Sequence, residues 1–184
     1  IYDDVARYEE ETVEIPDYPV NLFFTKEGYF KKITPQSLRM SGEQKLKDGD
    51  EIIQELEFTN NCDLLFFTDK CQVYKAKADD FAQTKASVLG DYVAAKLGFD
   101  EGENAVKMVV TKDYKGMLLF AFENGKAAKV PLESYATKTN RKKLTGAYSD
   151  KSPLVGLLYM PEDEEVLFKA SSGNMLLVHT GLLA

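Results

Sequence analysis

Histidine is almost missing from this sequence. His179 is the one copy among 184 residues, so neither a histidine-based metal cluster nor a catalytic triad can be assembled. Cys62 and Cys71 are the only cysteines, too few for a zinc site. A disulfide across a hairpin is conceivable, but reduced thiols in a cytosolic protein are the expectation. No stretch approaches the ~20 apolar residues of a membrane span. The start is acidic rather than basic, so no signal peptide is read there. There is no phosphate-binding glycine loop and no serine nucleophile motif. The acids Asp48, Asp50, Asp100, Glu101 and Glu103 lack the spacing of a calcium loop and read as turn residues. An enzyme in its own right therefore has no supporting constellation: no catalytic and no metal residues are assigned.

What the chain does have is a repeated hairpin. Leu22-Phe23-Phe24-Thr25-Lys26-Glu27-Gly28-Tyr29-Phe30-Lys31-Lys32-Ile33 reads as a buried strand, a turn whose glycine supplies positive φ, and a returning strand. The pattern recurs at Leu64 to Lys75, with Cys71 in the glycine's place, at Met117 to Val130, and at Glu165 to Val178. The turn position steps through 28, 71, 125 and 173. Asn124-Gly125 is the strongest hairpin signal. A second element lies between the hairpins, a polar turn feeding an apolar strand: Leu46 to Ile53, Phe99 to Val106 and Tyr148 to Val155. Each unit is thus a hairpin, a polar loop, a turn and an outer strand. The expected fold is all-β, a propeller-like array of four-stranded blades with three to four repeats, in which neighbours must stack to bury their faces.

The remaining segments are less regular. Residues 1–19 read as an acidic lead-in, with an edge strand expected over Thr12 to Ile15. Residues 20–184 form the array, with repeats beginning near 20, 63, 116 and 165. Ser37 to Lys45 reads as a surface loop, Asp79 to Leu97 as a helical turn followed by a strand, and Ser134 to Lys143 as a basic loop. The fourth unit lacks its outer strand, so the array is expected to be a truncated disc or to be completed by the N-terminal segment. The net charge of −7 argues against nucleic acid, but its distribution does not. Residues 1–20 carry one arginine against seven acids, whereas residues 21–143 carry 20 basic side chains against 18 acids. The acidity sits at the ends, and a local patch decides contact.

Three stretches carry a family resemblance: Thr25-Lys26-Glu27-Gly28-Tyr29-Phe30-Lys31-Lys32, Leu46-Lys47-Asp48-Gly49-Asp50, and Pro131-Leu132-Glu133-Ser134-Tyr135 before the basic loop. They resemble the C-terminal DNA-wrapping domain of the A subunit of bacterial type IIA topoisomerases, DNA gyrase and topoisomerase IV. The resemblance covers about residues 20 to 184. It implies a β-pinwheel, a disc of blades with DNA bent around a basic rim, and a chain that is a fragment of a longer subunit whose catalytic tyrosine lies elsewhere. It also implies that the ten tyrosines here are not nucleophiles. Gyrase carries a Gln-Arg-Arg-Gly-Gly-Arg-Gly box in the first blade's loop. Here that place reads Leu38-Arg39-Met40-Ser41-Gly42-Glu43-Gln44-Lys45, which leaves topoisomerase IV or a divergent gyrase-like subunit open.

The resemblance thus implies a non-catalytic DNA-binding and DNA-bending domain presenting a duplex for strand passage. The fragment would need no cofactor, while the holoenzyme would use ATP and magnesium. Its partners would be double-stranded DNA, the remainder of the A subunit and the ATPase B subunit, in the bacterial cytoplasm with no membrane. The alternative is a propeller-like protein-interaction module. Phosphate contacts need cations reaching out from a rigid edge. The candidates are Lys31, Lys32, Arg39, Lys45, Lys75, Lys77, Lys85, Lys129, Lys138, Arg141, Lys142 and Lys143. Lone lysines such as Lys26 and Lys112 read as solvated edge residues.

Overall fold

The hairpin turn is the repeating device of the molecule. In a computed structural model that describes residues 14–137 and 141–183, β1 (Pro19–Thr25) and β2 (Tyr29–Ile33) pair antiparallel across Gly28. Gly28 sits at φ +90°, and its N–H donates to the Thr25 carbonyl at 3.0 Å. Helix α1 (Pro35–Met40) follows, started by Thr34, whose side chain accepts from the Ser37 N–H, with proline in the first turn. It takes up Ser37 to Met40 of the segment expected to be loop, while Ser41 to Lys45 is without helix or strand. Strand β3 (Ile52–Thr59) then returns to pair with the far edge of β1.

The second repeat has the same order. β4 (Asp63–Thr68) and β5 (Val73–Lys77) form the hairpin, with Cys71 at φ +57° where the other repeats hold glycine. Next come a 3-10 turn at Ala78–Asp80, a two-residue β6 (Asp91–Tyr92), helix α2 (Val93–Leu97) and β7 (Ala105–Thr111), which pairs with β4. The order over 79–97 is therefore turn, strand, helix, and the strand comes before the main helix. The third repeat contributes β8 (Met117–Phe122), β9 (Ala127–Pro131), the short β10 (Lys143–Leu144) and β11 (Leu154–Met160), which pairs with β8. β12 (Glu165–Lys169) and β13 (Met175–His179) form the fourth hairpin. Glu14 and Ile15 are not in a strand, and Thr12 lies outside the described residues.

The polar turn before each third strand is hydrogen-bonded to the hairpin turn beside it. Asp50 accepts the Glu27 N–H at 2.9 Å, Asp69 accepts the Asn104 N–H at 3.0 Å, and Ser152 Oγ accepts the Asn124 N–H at 3.1 Å. This explains why the motif recurs at a fixed place.

The blades are not self-contained, which corrects the expected unit. The first sheet runs β3-β1-β2-β6 and the second β10-β5-β4-β7. β6 and β10 each come from the chain after the next hairpin, so each of these two sheets is finished by the repeat that follows it. Among the described residues the third sheet is β11-β8-β9 and the fourth is β12-β13.

Alternation along β4 shows how the sheets stack. Leu64 and Phe66 pack with Leu22, Phe24, Phe30 and Phe81, while Leu65 and Phe67 pack with Leu118, Phe120 and Tyr135. The second sheet is thus buried on both faces, which is why its strand reads as a continuous apolar run. The Phe66 ring lies 5.7 Å from Phe24, 6.1 Å from Phe30 and 6.3 Å from Phe81. Burying one such ring stabilises by about 1.5–3 kcal/mol. Both cysteines are free, and burial pushes the Cys62 thiol up to about 11. His179 closes β13, and its Nδ1 accepts the Gly181 N–H at 3.2 Å. No helix among the described residues is long and apolar enough to cross a membrane.

Candidate nucleic-acid interface

The two lysines at the end of the first hairpin face inward. Lys31 is 1% exposed and Lys32 2%. The Lys31 ammonium donates to the carbonyls of Lys45 at 3.0 Å and Ala86 at 3.1 Å, and burial lowers its pKa. Lys32 donates to Asn60 Oδ1 at 2.6 Å and to the Ala78 carbonyl at 2.8 Å. Both were expected on the rim. The structure instead uses them as staples, because loops of the following segment fold over β2 and present carbonyls that need donors.

These staples set out part of the surface. Lys45 N–H donates to the Ala86 carbonyl at 2.8 Å, so the loop holding Lys45 lies along the loop holding Lys85. Both side chains are exposed, as is Arg39 at the end of α1, and none of the three has a carboxylate partner among the described residues. The acid Glu43 borders the same surface beside Lys45.

A second basic group lies on the second sheet. β10 pairs with β5 in the register Lys143–Tyr74, and the Lys142 carbonyl accepts the Lys75 N–H at 2.7 Å. Lys143 donates to both carboxylate oxygens of Asp100, at 2.8 and 3.0 Å, and lies 5.5 Å from the centre of the Tyr74 ring. The bond to Asp100 raises the pKa of Lys143. Hydrogen bonds from Gln72 and then from Lys143 lower that of Asp100. Arg141 and Lys142 are exposed and carry no carboxylate partner among the described residues. Lys75 turns inward, donating to Thr137 Oγ1 at 3.0 Å with its ammonium 5.2 Å from the centre of the Tyr114 ring. Lys77 lies 3.8 Å from Asp63.

Lys129 stands apart. Its ammonium is 3.0 Å from Asp163 and donates to the Thr180 carbonyl at 3.0 Å, tying the third sheet to the fourth hairpin. Lys138 lies outside the described residues. The row expected from sequence therefore thins to Arg39, Lys45, Lys85, Arg141 and Lys142 as exposed cations without an acid.

Beneath the basic segment lies a satisfied carboxylate. Glu103 accepts from Thr68 Oγ1 at 2.6 Å, Gln72 Nε2 at 2.6 Å, Tyr74 OH at 2.6 Å and the Asp100 N–H at 3.1 Å. Burial opposes its ionisation, yet these donors outweigh it and hold the carboxyl below its usual range. The network fixes Tyr74 and Asp100, and through them Lys143. One cation escaped the sequence reading: Lys96 on α2, exposed, with its ammonium 4.9 Å from the centre of the Phe81 ring. Its signal was a basic residue before Gly98 at a helix end, which became legible only with the helix in place.

No family model matches the chain. It is 25% identical over 180 residues to the topoisomerase IV A subunit of Staphylococcus epidermidis, covering 95% of this chain and 22% of that protein. The same subunit of Staphylococcus aureus is 25% identical over 181 residues, with the same coverage. The chain spans about a fifth of the length of the curated relatives it matches. A solved C-terminal domain of DNA topoisomerase IV superposes with a TM-score of 0.74 at 24% identity, over 89% of this chain and 52% of that one. The C-terminal domain of E. coli ParC gives 0.66 at 16% identity, over 89% and 65% of the two chains. The resemblance drawn from the hairpin motifs is borne out in sequence and in fold.

Proposed function

We propose that this chain, similar in sequence to topoisomerase IV A subunits and folded as the β-pinwheel of their C-terminal domains, binds and bends duplex DNA without catalysing a reaction. It presents a DNA segment to the strand-passage machinery of a type IIA topoisomerase. The remainder of the A subunit and an ATPase B subunit are its partners in the bacterial cytoplasm, and ATP and magnesium act outside this chain.

The observation that supports the reading is the Arg141–Lys142 pair, exposed, free of acids among the described residues and held on the edge of a rigid sheet through β10. Arg39, Lys45 and Lys85 add a second foothold on the first sheet. Such cations contact phosphates and carry little base readout. Bending ~20–30 base pairs through 40–90° costs on the order of 1–6 kcal/mol, so several contacts must act together.

The test is a salt titration of this chain against a duplex of about 40 base pairs labelled at both ends. Affinity falling steeply with salt, with the ends drawn together, is the expected result. No binding at ~50 mM salt overturns the reading. The protein-interaction reading has one observation in its favour: Leu167, Met175, Leu176 and Leu177 of the fourth sheet are 57–65% exposed. A chain that fails to bind duplex would move the assignment to that surface.

A further inference from the structure

We propose that Lys96 and Lys142 form a clamp for DNA backbone phosphates across the seam between the first and second sheets. The clamp rests on the duplex-binding reading and names one stretch of the path. Both lysines line an open notch of about 390 Å³ together with Tyr74, Lys75 and Gly98, and no carboxylate lines it.

The two walls belong to different sheets. Lys96 rides on α2, which is rooted by buried Val93, whose N–H donates to the Gly28 carbonyl at 3.0 Å, and which follows β6 on the edge of the first sheet. Lys142 adjoins β10 on the edge of the second sheet. The spacing of the two ammonium groups is therefore a product of both strand exchanges. The Lys96 ammonium rests near the Phe81 ring, which orders its stem before any ligand arrives. Lys75 keeps its own ammonium on Thr137 and adds positive potential from below. Asp100, two residues beyond Gly98, is taken up by Lys143 and Gln72 and does not compete with an incoming anion.

A phosphodiester fits better than an acidic peptide. Arg141 continues the positive surface beyond Lys142, the aliphatic lining is limited to Leu97 and Ala95, and the Tyr74 ring is buried. Lysines act as point charges on phosphate and need no fork geometry.

The test measures duplex affinity against salt for the intact 184-residue chain, for Lys96→Ala/Lys142→Ala, and for Lys126→Ala/Lys169→Ala, which loses the same charge from the third and fourth hairpins. The clamp variant should flatten the log–log slope by about 2, at ~0.9 per phosphate, while the control keeps the parental slope. Lys96→Arg/Lys142→Arg should restore it. Glutamine at both positions keeps the stems and should repeat the alanine result if the alanine variant unfolds. An unchanged slope in a chain that binds duplex overturns the clamp alone. Absence of duplex binding in the parent overturns the clamp together with the reading beneath it. A variant that keeps its duplex slope but loses affinity for polyglutamate overturns the phosphate assignment.

Discussion

The Lys32 ammonium donates to Asn60 Oδ1 at 2.6 Å with both residues buried. Asn60 in turn donates to the Pro16 carbonyl at 2.9 Å and to Asp79 at 3.0 Å, so one amide joins the approach to β1, the end of β2 and the turn after β5. Asn60→Ala should cost ~1–3 kcal/mol, because it leaves a buried ammonium with one partner. Urea unfolding should show a lower midpoint with an unchanged slope. Lys32→Met combined with Asn60→Ala should destabilise by less than the two single changes added together.

Glu103 makes stability depend on pH. Its folded pKa lies below the ordinary 4.5, so the unfolded chain binds the proton more readily in that window. The stabilisation is fully present above the ordinary value and is lost as pH falls through the folded one. Glu103→Gln should lower stability at neutral pH and flatten the decline below about pH 4.5, read from urea midpoints across that range. A decline as steep as the parent's would show that other carboxylates, such as Asp100 and Asp163, carry the acid sensitivity.

Cys71 holds φ +57° in a turn where three sister hairpins hold glycine. A left-handed conformation costs an L-residue about 1–2 kcal/mol. Glycine removes that cost, offset by about 0.5–1 kcal/mol of additional chain entropy in the unfolded state. Cys71→Gly should therefore raise stability by up to ~1 kcal/mol in chemical unfolding. A lower midpoint would mean that the thiol's packing beside Tyr148 outweighs the backbone term.

The surface cations should separate by partner. Alanine at Arg39, Lys45 and Lys85 together should flatten the salt dependence of duplex binding by up to ~3, at 0.9 per phosphate. Lys129→Ala should leave the slope alone and lower the unfolding midpoint, since its ammonium is held by Asp163 and the Thr180 carbonyl. Equal slopes for the parent and the triple variant would remove these three cations from the DNA path.

Hairpins were legible because their signals are contiguous: an aromatic run, a turn residue and a second run within a dozen positions. The third strands were legible because their polar turn recurs. The exchange of β6 and β10 was not, since two-residue strands carry no periodicity and their partners lie far back in the chain. The buried state of Lys31 and Lys32 was hidden for the same reason. The loops at 78–86 that cover both are set by tertiary packing. Charge was readable by residue type and not by partner: nothing near Lys129 in sequence announces Asp163.

The exchange of strands also sets a timetable for synthesis. Once Ile33 has left the ribosome, the outer edge of β2 at Tyr29 and Phe30 stays unpaired until Asp91 and Tyr92 emerge, with the whole second hairpin made in between, while Lys32 meets Gln83 and Thr84 slightly earlier. At roughly 5–20 residues per second that interval is on the order of 3–12 s. During it the nascent chain carries an open edge beside Phe30, a template for pairing with another chain. The first and second sheets are thus each left exposed for a few seconds and then protected by the repeat that follows, so a ribosome stalled between Ile33 and Asp91 would display the molecule at its most adhesive.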